Sequence, residues 1–292
     1  MKKEITVHCI AQTRTNREEM QAWLENVGAV EFSEKLPSTY HESNVHFDEE
    51  YTQPEGTVTD ADLLVGVSGK RCYNSFEVGM NPNVSKIRED WGVYLDNILK
   101  SGHGSVLEHT SWTWAFEGVT RVFTAEMNRH RAGVAISEAS LRYIRFGDAI
   151  PYWEPLSIRA CEGEITDENR LIESKKHRTR SYFKSVFEHV LSTYRMLEEI
   201  WADDLAGDFA RKKQLTSMFR RIVPLGVSVG AVYTLNLRAL RHIITMRCDP
   251  AAEEEIAYAM GLVAKEMCEQ EPRLMGDFVQ EGGFWKPKYR KV

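Results

Sequence analysis

Two short runs of side chains carry a charge pattern suited to chemistry on an anion. Arg129-His130-Arg131 is followed closely by Glu138-Ala139-Ser140-Leu141-Arg142-Tyr143. Arginine is almost never fully buried without a partner, so cations this dense demand anions nearby. The guanidinium fork matches phosphate or carboxylate through paired hydrogen bonds, which points to a phosphate-bearing ligand. A polar helix face does not explain the run, because Gly133 and β-branched Val134 interrupt helix continuity directly after it. A solvated arginine cluster at a helix end is the competing reading of these residues taken alone. A second group follows at Arg220-Arg221 and then at Asn236, Arg238, His242 and Arg247. On a helix, Arg238 and His242 stand at i, i+4 and share a face with Leu235. Arg247 closes that helix, where its charge also suits the dipole.

The elements that position these groups are visible in the apolar periodicity. Ile5, Val7 and Cys9 alternate as a short strand, and a helix is expected over 16–27. Ser111-Trp112-Thr113-Trp114-Ala115-Phe116 alternates as a second strand, and Thr120 then reads as the N-cap of an amphipathic helix ending at the arginines. Val84, Ile87, Trp91, Tyr94, Leu95 and Ile98 recur at helical spacing over 84–99, and Gly102 closes that helix and delivers the chain to His103. Residues 166–201 form a long charged helix, and 203–219 fold back on it as an αα-hairpin whose Lys212-Lys213 pair reads as a solvated face. Pro250 opens a further helix. Residues 31–62 are acid-rich, with Pro37, Pro54 and Gly56, and read as a surface excursion. Residues 280–292 form a basic, aromatic tail with no evident role.

The order of these pieces resembles the flavin-dependent thymidylate synthases. That family carries His-x-Ser/Thr-x-x-Glu-His ahead of Arg-His-Arg, a spacer, a serine and Arg-Tyr. Here His103-Gly104-Ser105-Val106-Leu107-Glu108-His109 precedes Arg129-His130-Arg131, with Ser140 and Arg142-Tyr143 beyond. The eight-residue spacer, Ala132 to Ala139, is one longer than the commonest family form, which reads as a loop insertion before Glu138. Arg220-Arg221-Ile222-Val223-Pro224 resembles Ala-Arg-x-Val-Leu-Pro with one residue missing, so both arginines remain candidates for the nucleotide-binding one. Asn236-x-Arg238-x-x-x-His242 with Arg247 matches a further motif. Ala252-Glu253-Glu254-Glu255-Ile256 resembles Ala-Gln-x-Glu-Ile, with Glu253 in place of glutamine; Glu126 likewise stands where the family has a glutamine that contacts the nucleotide. Residues 63–73 occupy the place of an Ala-Arg-x-Ser segment, with Gly66 for the arginine and Ser68 retained as a flavin-phosphate contact or a turn serine. The resemblance covers about 63–272.

It implies an α/β protein with a mainly antiparallel sheet flanked by long helices. It also implies a single domain over 1–292 and a homotetramer whose sites draw on several subunits. The implied chemistry uses FAD reduced by NADPH, with methylenetetrahydrofolate supplying the carbon added to C5 of dUMP; the same chemistry on UMP or another ribonucleotide is the alternative. His103, Ser105, Arg129, His130, Arg131, Glu138, Asn236, Arg238 and His242 would line the flavin, with Glu108 and His109 bracing their turn. Glu126, Arg129, Glu138, Ala139, Ser140, Leu141, Arg142 and Arg221 would hold the nucleotide. Arg247 would sit beside the N3/O2 edge of uracil. C5 of uracil is a poor nucleophile until negative charge gathers on the base, and a cation aimed at that charge lowers the barrier. Ser140 has no recognisable base or triad, so it is read as a binding residue and not a nucleophile. GxGxxG is absent, so flavin binding of the Rossmann kind is not expected.

Composition narrows the field further. A net charge of −6 over 292 residues argues against a general nucleic-acid binder, which would show a basic excess. No apolar run approaches the roughly 20 residues that cross a bilayer, and the start MKKEITVHCI lacks the apolar core of a signal peptide. Cys9, Cys72, Cys161, Cys248 and Cys268 are scattered singly, without zinc-type spacing, so neither a metal nor a disulfide framework is expected; a reducing cytoplasm fits. A nucleotide-binding protein without chemistry is the competing class.

Overall fold

The alternating residues of Ser111–Thr120 form a central strand of a computed structural model, described over residues 1–40, 56–160, 163 and 165–289. Trp112, Trp114 and Phe116 are buried on one face, while Ser111, Thr113 and Ala115 are half-buried on the other. Aromatic and β-branched residues suit such a pleated, half-covered surface. The sheet has four strands: β1 (Thr6–Gln12), β2 (Ser111–Thr120), β3 (Val134–Glu138) and β4 (Ser228–Asn236), in the order β1-β2-β4-β3. All pairings are antiparallel. The β2–β4 register shifts between Phe116 and Val119. Gly118 sits there at φ +77°, where a Cβ would lie 2.1 Å from the Glu4 carbonyl oxygen, so only glycine fits.

Among the described residues, eight helices of seven residues or more flank the sheet: α1 (Arg17–Asn26), α2 (Asp60–Tyr73), α3 (Trp91–Ser101), α4 (Arg121–Met127), α5 (Arg170–Ile200), α6 (Phe209–Phe219), α7 (Leu237–Arg247) and α8 (Glu254–Gln270). Short polar side chains set most of their starts. Asn16, Thr59, Asp90, Thr120, Asp208 and Asn236 each accept an N–H of the first turn. The principal core joins Trp112, Trp114, Phe116 and Tyr233 of the sheet to α3, α7 and α8. A second core joins Leu141, Phe146 and Ile150 to the α5–α6 hairpin through Phe187, Tyr194, Leu215 and Phe219. A third packs Leu24, Leu63, Val67 and Phe76 where α1 meets α2.

Several expectations are corrected. The helix expected over 84–99 begins only at Trp91, because Asp90 caps it by accepting the Val93 N–H at 2.8 Å. The helix expected from Pro250 begins at Glu254, with the Glu253 carboxylate accepting the amides of Glu255 and Ile256. The acid-rich stretch is not an excursion throughout. Val30–Glu34 is helical, Ser38–Thr39 pairs with Thr57–Val58, and Thr59, Asp60 and Asp62 are buried at the start of α2; 41–55 lie outside the described residues. The basic tail is a hairpin, Phe278–Glu281 against Phe284–Pro287, that buries Trp285 in the principal core; 290–292 lie outside the described residues. The residues directly before Glu138 are strand, since Val134–Glu138 pairs with β4 residue for residue, and the turn of the spacer lies at Ala132 and Gly133. Ser68 lies within α2, not in a turn, and Gly66 admits the Trp91 ring, which a Cβ would meet at 2.1 Å.

No helix among the described residues is long and apolar enough to cross a membrane, and no group of His, Cys, Asp and Glu among them could hold a metal. Cys9, Cys72, Cys248 and Cys268 are thiols, and Cys161 lies outside the described residues.

Candidate active site

Helix α4 is fixed at its start from beneath. Buried Glu255 of α8 accepts the Thr120 amide and the Thr120 hydroxyl, both at 2.5 Å. Burial, aided by the charges of Glu253 and Glu254, pushes the Glu255 carboxyl up to about 7 despite those two bonds. The same Thr120 oxygen accepts the Val122 amide and caps α4. The other end of α4 receives Arg247 from the end of α7. Arg247 Nη1 donates to Glu126 Oε2 at 2.5 Å, Nη2 to the Glu126 carbonyl at 3.2 Å, and Nε to His130 Nε2 at 2.9 Å. The guanidinium therefore reaches across to another helix and does not cap its own. Accepting at Nε2 places the His130 proton on Nδ1. Burial, with the charges of Arg247 and His242, holds His130 down to about 4, so this imidazole is neutral.

His130 links that latch to a cleft, its ring centroid 6.0 Å from that of His242. Glu108, Ala132, Gly133, Asn236, Arg238, Ala239 and His242 line a cavity of about 310 Å³. Asn236 caps α7 through the Ala239 amide at 2.8 Å and donates its own amide to the Gly133 carbonyl at 3.0 Å. Gly133, at φ +69°, leaves room for this, since a Cβ there would lie 2.4 Å from Asn236 Nδ2. Glu108 braces the motif arginine and not its own turn: Arg238 Nη1 donates to it at 2.6 Å, with both side chains about half exposed. Arg129 and Arg131 are exposed, and neither makes an ion pair with any described residue. His103 and Ser105 are not brought into this cleft. His103 faces Tyr73, ring centroids 5.7 Å apart, in a separate cavity with Lys70, Lys86 and Arg88, and Ser105 is exposed in the turn Gly104–His109.

The Glu138–Tyr143 run is divided in its contacts. Glu138 is ion-paired with Arg121 and accepts Asn128 Nδ2 at 3.3 Å, while Asn128 Oδ1 accepts the Tyr233 hydroxyl at 3.2 Å. The Ala139 amide donates to the Gly230 carbonyl, the Arg142 amide to Ser140 Oγ at 3.4 Å, and the Leu141 side chain is buried in the second core. The amides of Ala139 and Arg142 thus have partners in the chain. Arg142 and Arg221 do come together, along an open pocket of about 480 Å³ formed with Ala210, Lys213, Gln214, Ser217 and Met218 of α6. Arg220 does not line it. Lys213 is half-buried there, unlike its exposed neighbour Lys212, which corrects the reading of the pair as one solvated face.

Sequence reasoning missed Arg121, Arg241, Lys213 and the anchoring role of Glu255. Arg241 was legible: it shares the face of α7 with Leu237, Leu240 and Ile244, so a cation there must be buried with a partner. It is, with Nη1 and Nη2 on the Asp277 carboxylate at 2.6 and 2.9 Å.

Residues 56–273 match the family model described as "Thymidylate synthase complementing protein". A flavin-dependent thymidylate synthase of Geobacter sulfurreducens is 30% identical over 199 residues, 68% of this chain and 73% of the relative. A probable flavin-dependent thymidylate synthase of Mycobacterium phage D29 is 32% identical over 232 residues, 80% of this chain and 89% of the relative. Among solved structures, a UMP/dUMP methylase from Streptomyces cacaoi, bound with 5-Br UMP, shares the fold at a TM-score of 0.58 and 15% identity, covering 94% of this chain and 93% of that one. The α/β fold with its antiparallel sheet, the two arginine motifs and these likenesses agree, and the chain belongs to the flavin-dependent thymidylate synthase family.

Proposed function

We propose that this chain methylates C5 of a uracil nucleotide, dUMP to dTMP, using FAD, with methylenetetrahydrofolate as carbon donor and NADPH as reductant. The observation that carries the reading is Arg247, a guanidinium fixed by a carboxylate and a neutral histidine next to the His242 cleft. The residues present fit a flavin. The cleft offers Asn236, Arg238 and His242, and exposed Arg129 and Arg131 suit the diphosphate of a dinucleotide, from this subunit or a neighbouring one. When bound, the flavin supplies the hydride that completes the methyl group.

The chain's own part is positioning and electrostatics. Arg247, aimed at the N3/O2 edge of uracil, stabilises the negative charge that makes C5 nucleophilic. A neutral His130 holds that guanidinium without adding a competing charge. Arg142 and Arg221 bind the phosphate, and Ser140 shapes the turn that carries Arg142. Glu126 already faces Arg247, which supports dUMP over UMP, whose extra ribose hydroxyl an unpaired Glu126 carboxylate would accept. Exposed Leu171, Tyr182, Phe183, Val186, Met196 and Ile200 along α5 support assembly, which we take as a homotetramer of single-domain subunits in a reducing cytoplasm.

The test is direct. Purified protein should be yellow, bleach with NADPH, and convert dUMP to dTMP when methylenetetrahydrofolate is added, with UMP turned over more slowly. Colourless protein that takes up no FAD, or reduced protein that leaves dUMP unchanged, would overturn the proposal.

A further inference from the structure

A separate basic cavity lies between the end of α2, residues 74–90 and α3. Lys70, Lys86, Arg88 and His103 line it with Tyr73 and Tyr94, in a volume of about 310 Å³, and its lining holds no carboxylate. Lys70 is 4% exposed, a burial that lysine almost never shows without a paired anion. Its Nζ donates to the Arg88 carbonyl at 3.2 Å and lies 5.1 Å and 4.8 Å from the ring centroids of Phe32 and Tyr94. An ammonium has three N–H donors, so one carbonyl leaves two without an acceptor. No carboxylate among the described residues pairs with Lys70, Lys86, Arg88 or His103. Glu89, an acid whose charge does reach Lys70, lines the adjoining groove with Val78 and Val93 and not this cavity. Burial, with the Arg88 charge added, lowers the Lys70 pKa.

Ring faces offset only part of the cost of gathering like charges away from water. The proposed reaction also leaves two anionic partners without a place. Arg142 and Arg221 take the nucleotide phosphate, and Arg129 and Arg131 suit the flavin diphosphate. Methylenetetrahydrofolate ends in glutamate carboxylates, and NADPH carries a 2′-phosphate. We infer that this cavity binds the acidic end of a cosubstrate, an aromatic group bearing carboxylate or phosphate, with Lys70 and Arg88 as its cations. This rests on the nucleotide-methylating reading above. The position fits. His103 at the cavity and Glu108 at the flavin cleft stand at the two ends of the turn Gly104–His109. A rise of about 2 Å per residue in such a 3-10 turn sets them roughly 10 Å apart. Both cosubstrates are longer than that, so either can react in the cleft with its acidic end in the cavity. Tyr73, Val84, Ile87 and Ile98 offer apolar contact to the ring that carries the acid. The ammonium of Lys70, already held by the Arg88 carbonyl, meets that acid without first having to be ordered.

The competing explanation is that Lys70 only ties residues 84–90 to α2 through the Arg88 carbonyl. Three proteins separate the two: wild type, Lys70→Met and Arg88→Gln, each as full-length protein loaded with FAD. Met keeps the length of Lys70 between the two rings, and Arg88 is exposed, so its replacement leaves the fold in place. Calorimetry compares two pairs of ligands: methylenetetrahydrofolate against the pteroate form that lacks the glutamate, and NADPH against NADH. In one pair, wild type should bind the more acidic member at least about tenfold tighter. That advantage should shrink about tenfold in Lys70→Met and about threefold in Arg88→Gln, as for loss of a buried and of an exposed charged contact. Added salt should shrink it in wild type too. The pair that responds names the source, folate carboxylate or nucleotide 2′-phosphate. No advantage in either pair, or one untouched in both variants, overturns the inference. So does a loss in Lys70→Met that comes with a lowered Tm while Arg88→Gln behaves as wild type. Should Lys70→Met fail to fold, Arg88→Gln decides alone. If wild type methylates no uracil nucleotide, the proposed function itself fails, and p-aminobenzoylglutamate and adenosine 2′-monophosphate then probe the cavity. Binding of either by wild type that the variants weaken supports the site, and no binding, or binding that neither variant weakens, rejects it.

Discussion

Two regions of this molecule handle their cations in opposite ways. Around the sheet and α7, four arginines each meet a carboxylate of the same chain: Arg121 with Glu138, Arg238 with Glu108, Arg241 with Asp277, Arg247 with Glu126. Along α6 and the 139–146 turn, Arg142, Lys213 and Arg221 meet none among the described residues. The difference separates two uses of one residue type. A paired guanidinium is oriented before any ligand arrives, whereas an unpaired one waits for an anion from outside the chain. Preorganisation suits a cation that must act on charge developing in a transition state; openness suits one that must capture a phosphate.

The sharpest way to break this comparison is on stability. Arg241 is 3% exposed and its removal leaves the buried Asp277 carboxylate with the Tyr289 amide but without its ion-pair partner, so Arg241→Ala should cost about 3–5 kcal/mol in chemical denaturation. Arg221→Ala, at an exposed position, should stay within about 0.5 kcal/mol of wild type. Similar losses in both would mean that the two regions do not differ in kind.

Activity sharpens it from the other side. Arg247→Ala should slow methyl transfer by about 100- to 1,000-fold, the range for loss of a donor aimed at developing charge, and leave reduction of the flavin by NADPH almost intact. Arg247→Lys should recover little, because an ammonium cannot bond Glu126 and His130 at once as the fork does. If both half-reactions fall together, Arg247 is a structural latch and nothing more. A smaller effect is expected at Arg129, which is exposed and has no ion pair among the described residues. Arg129→Ala should lower retention of FAD about tenfold or more, with the denaturation midpoint unmoved. Protein that purifies fully yellow would remove Arg129 from the flavin site.

How much of this was legible beforehand follows the range of the interaction. Elements set by local periodicity and caps were readable: the Ser111–Thr120 strand, the Thr120 and Asn236 caps, and the Gly102 end of α3. Boundaries set by a single polar side chain were misplaced, as at Asp90, because an apolar pattern continues upstream of a cap without regard to it. Partners distant in sequence could not be read at all. Nothing near Glu126 announces that Arg247 will meet it, and Lys213 differs from Lys212 only in which side of α6 faces the Arg142 turn. The motif residues themselves were legible by resemblance. Their division into paired and unpaired cations needed three-dimensional proximity.

The smallest effect concerns two groups at opposite ends of α4, whose titrations oppose each other. His130 has its pKa lowered from 6.5 to about 4 in the folded chain, so between those values the unfolded chain binds a proton that the folded one refuses. Its contribution is fully present above about 6.5 and is lost as pH falls toward 4. Glu255 is raised from 4.5 to about 7, so the folded chain keeps a proton that the unfolded one releases, and its contribution is present below about 4.5 and lost as pH rises toward 7. Over the shared window the two slopes have opposite signs. Wild type should therefore show less pH dependence of Tm from this region than either group would give alone. Glu255→Gln, which keeps the shape and bonds Thr120 through one oxygen and one N–H but does not titrate, should steepen the fall of Tm on acidification from 6.5 toward 4. His130→Asn should do the reverse and make Tm fall as pH rises through the same window. Each difference from wild type should amount to a few degrees at most, about 2–4 °C per kcal/mol for a chain of this size. The measurement is Tm against pH for the three proteins in one buffer series, read as difference curves. Parallel curves for wild type and Glu255→Gln would show that Glu255 does not hold its proton under α4.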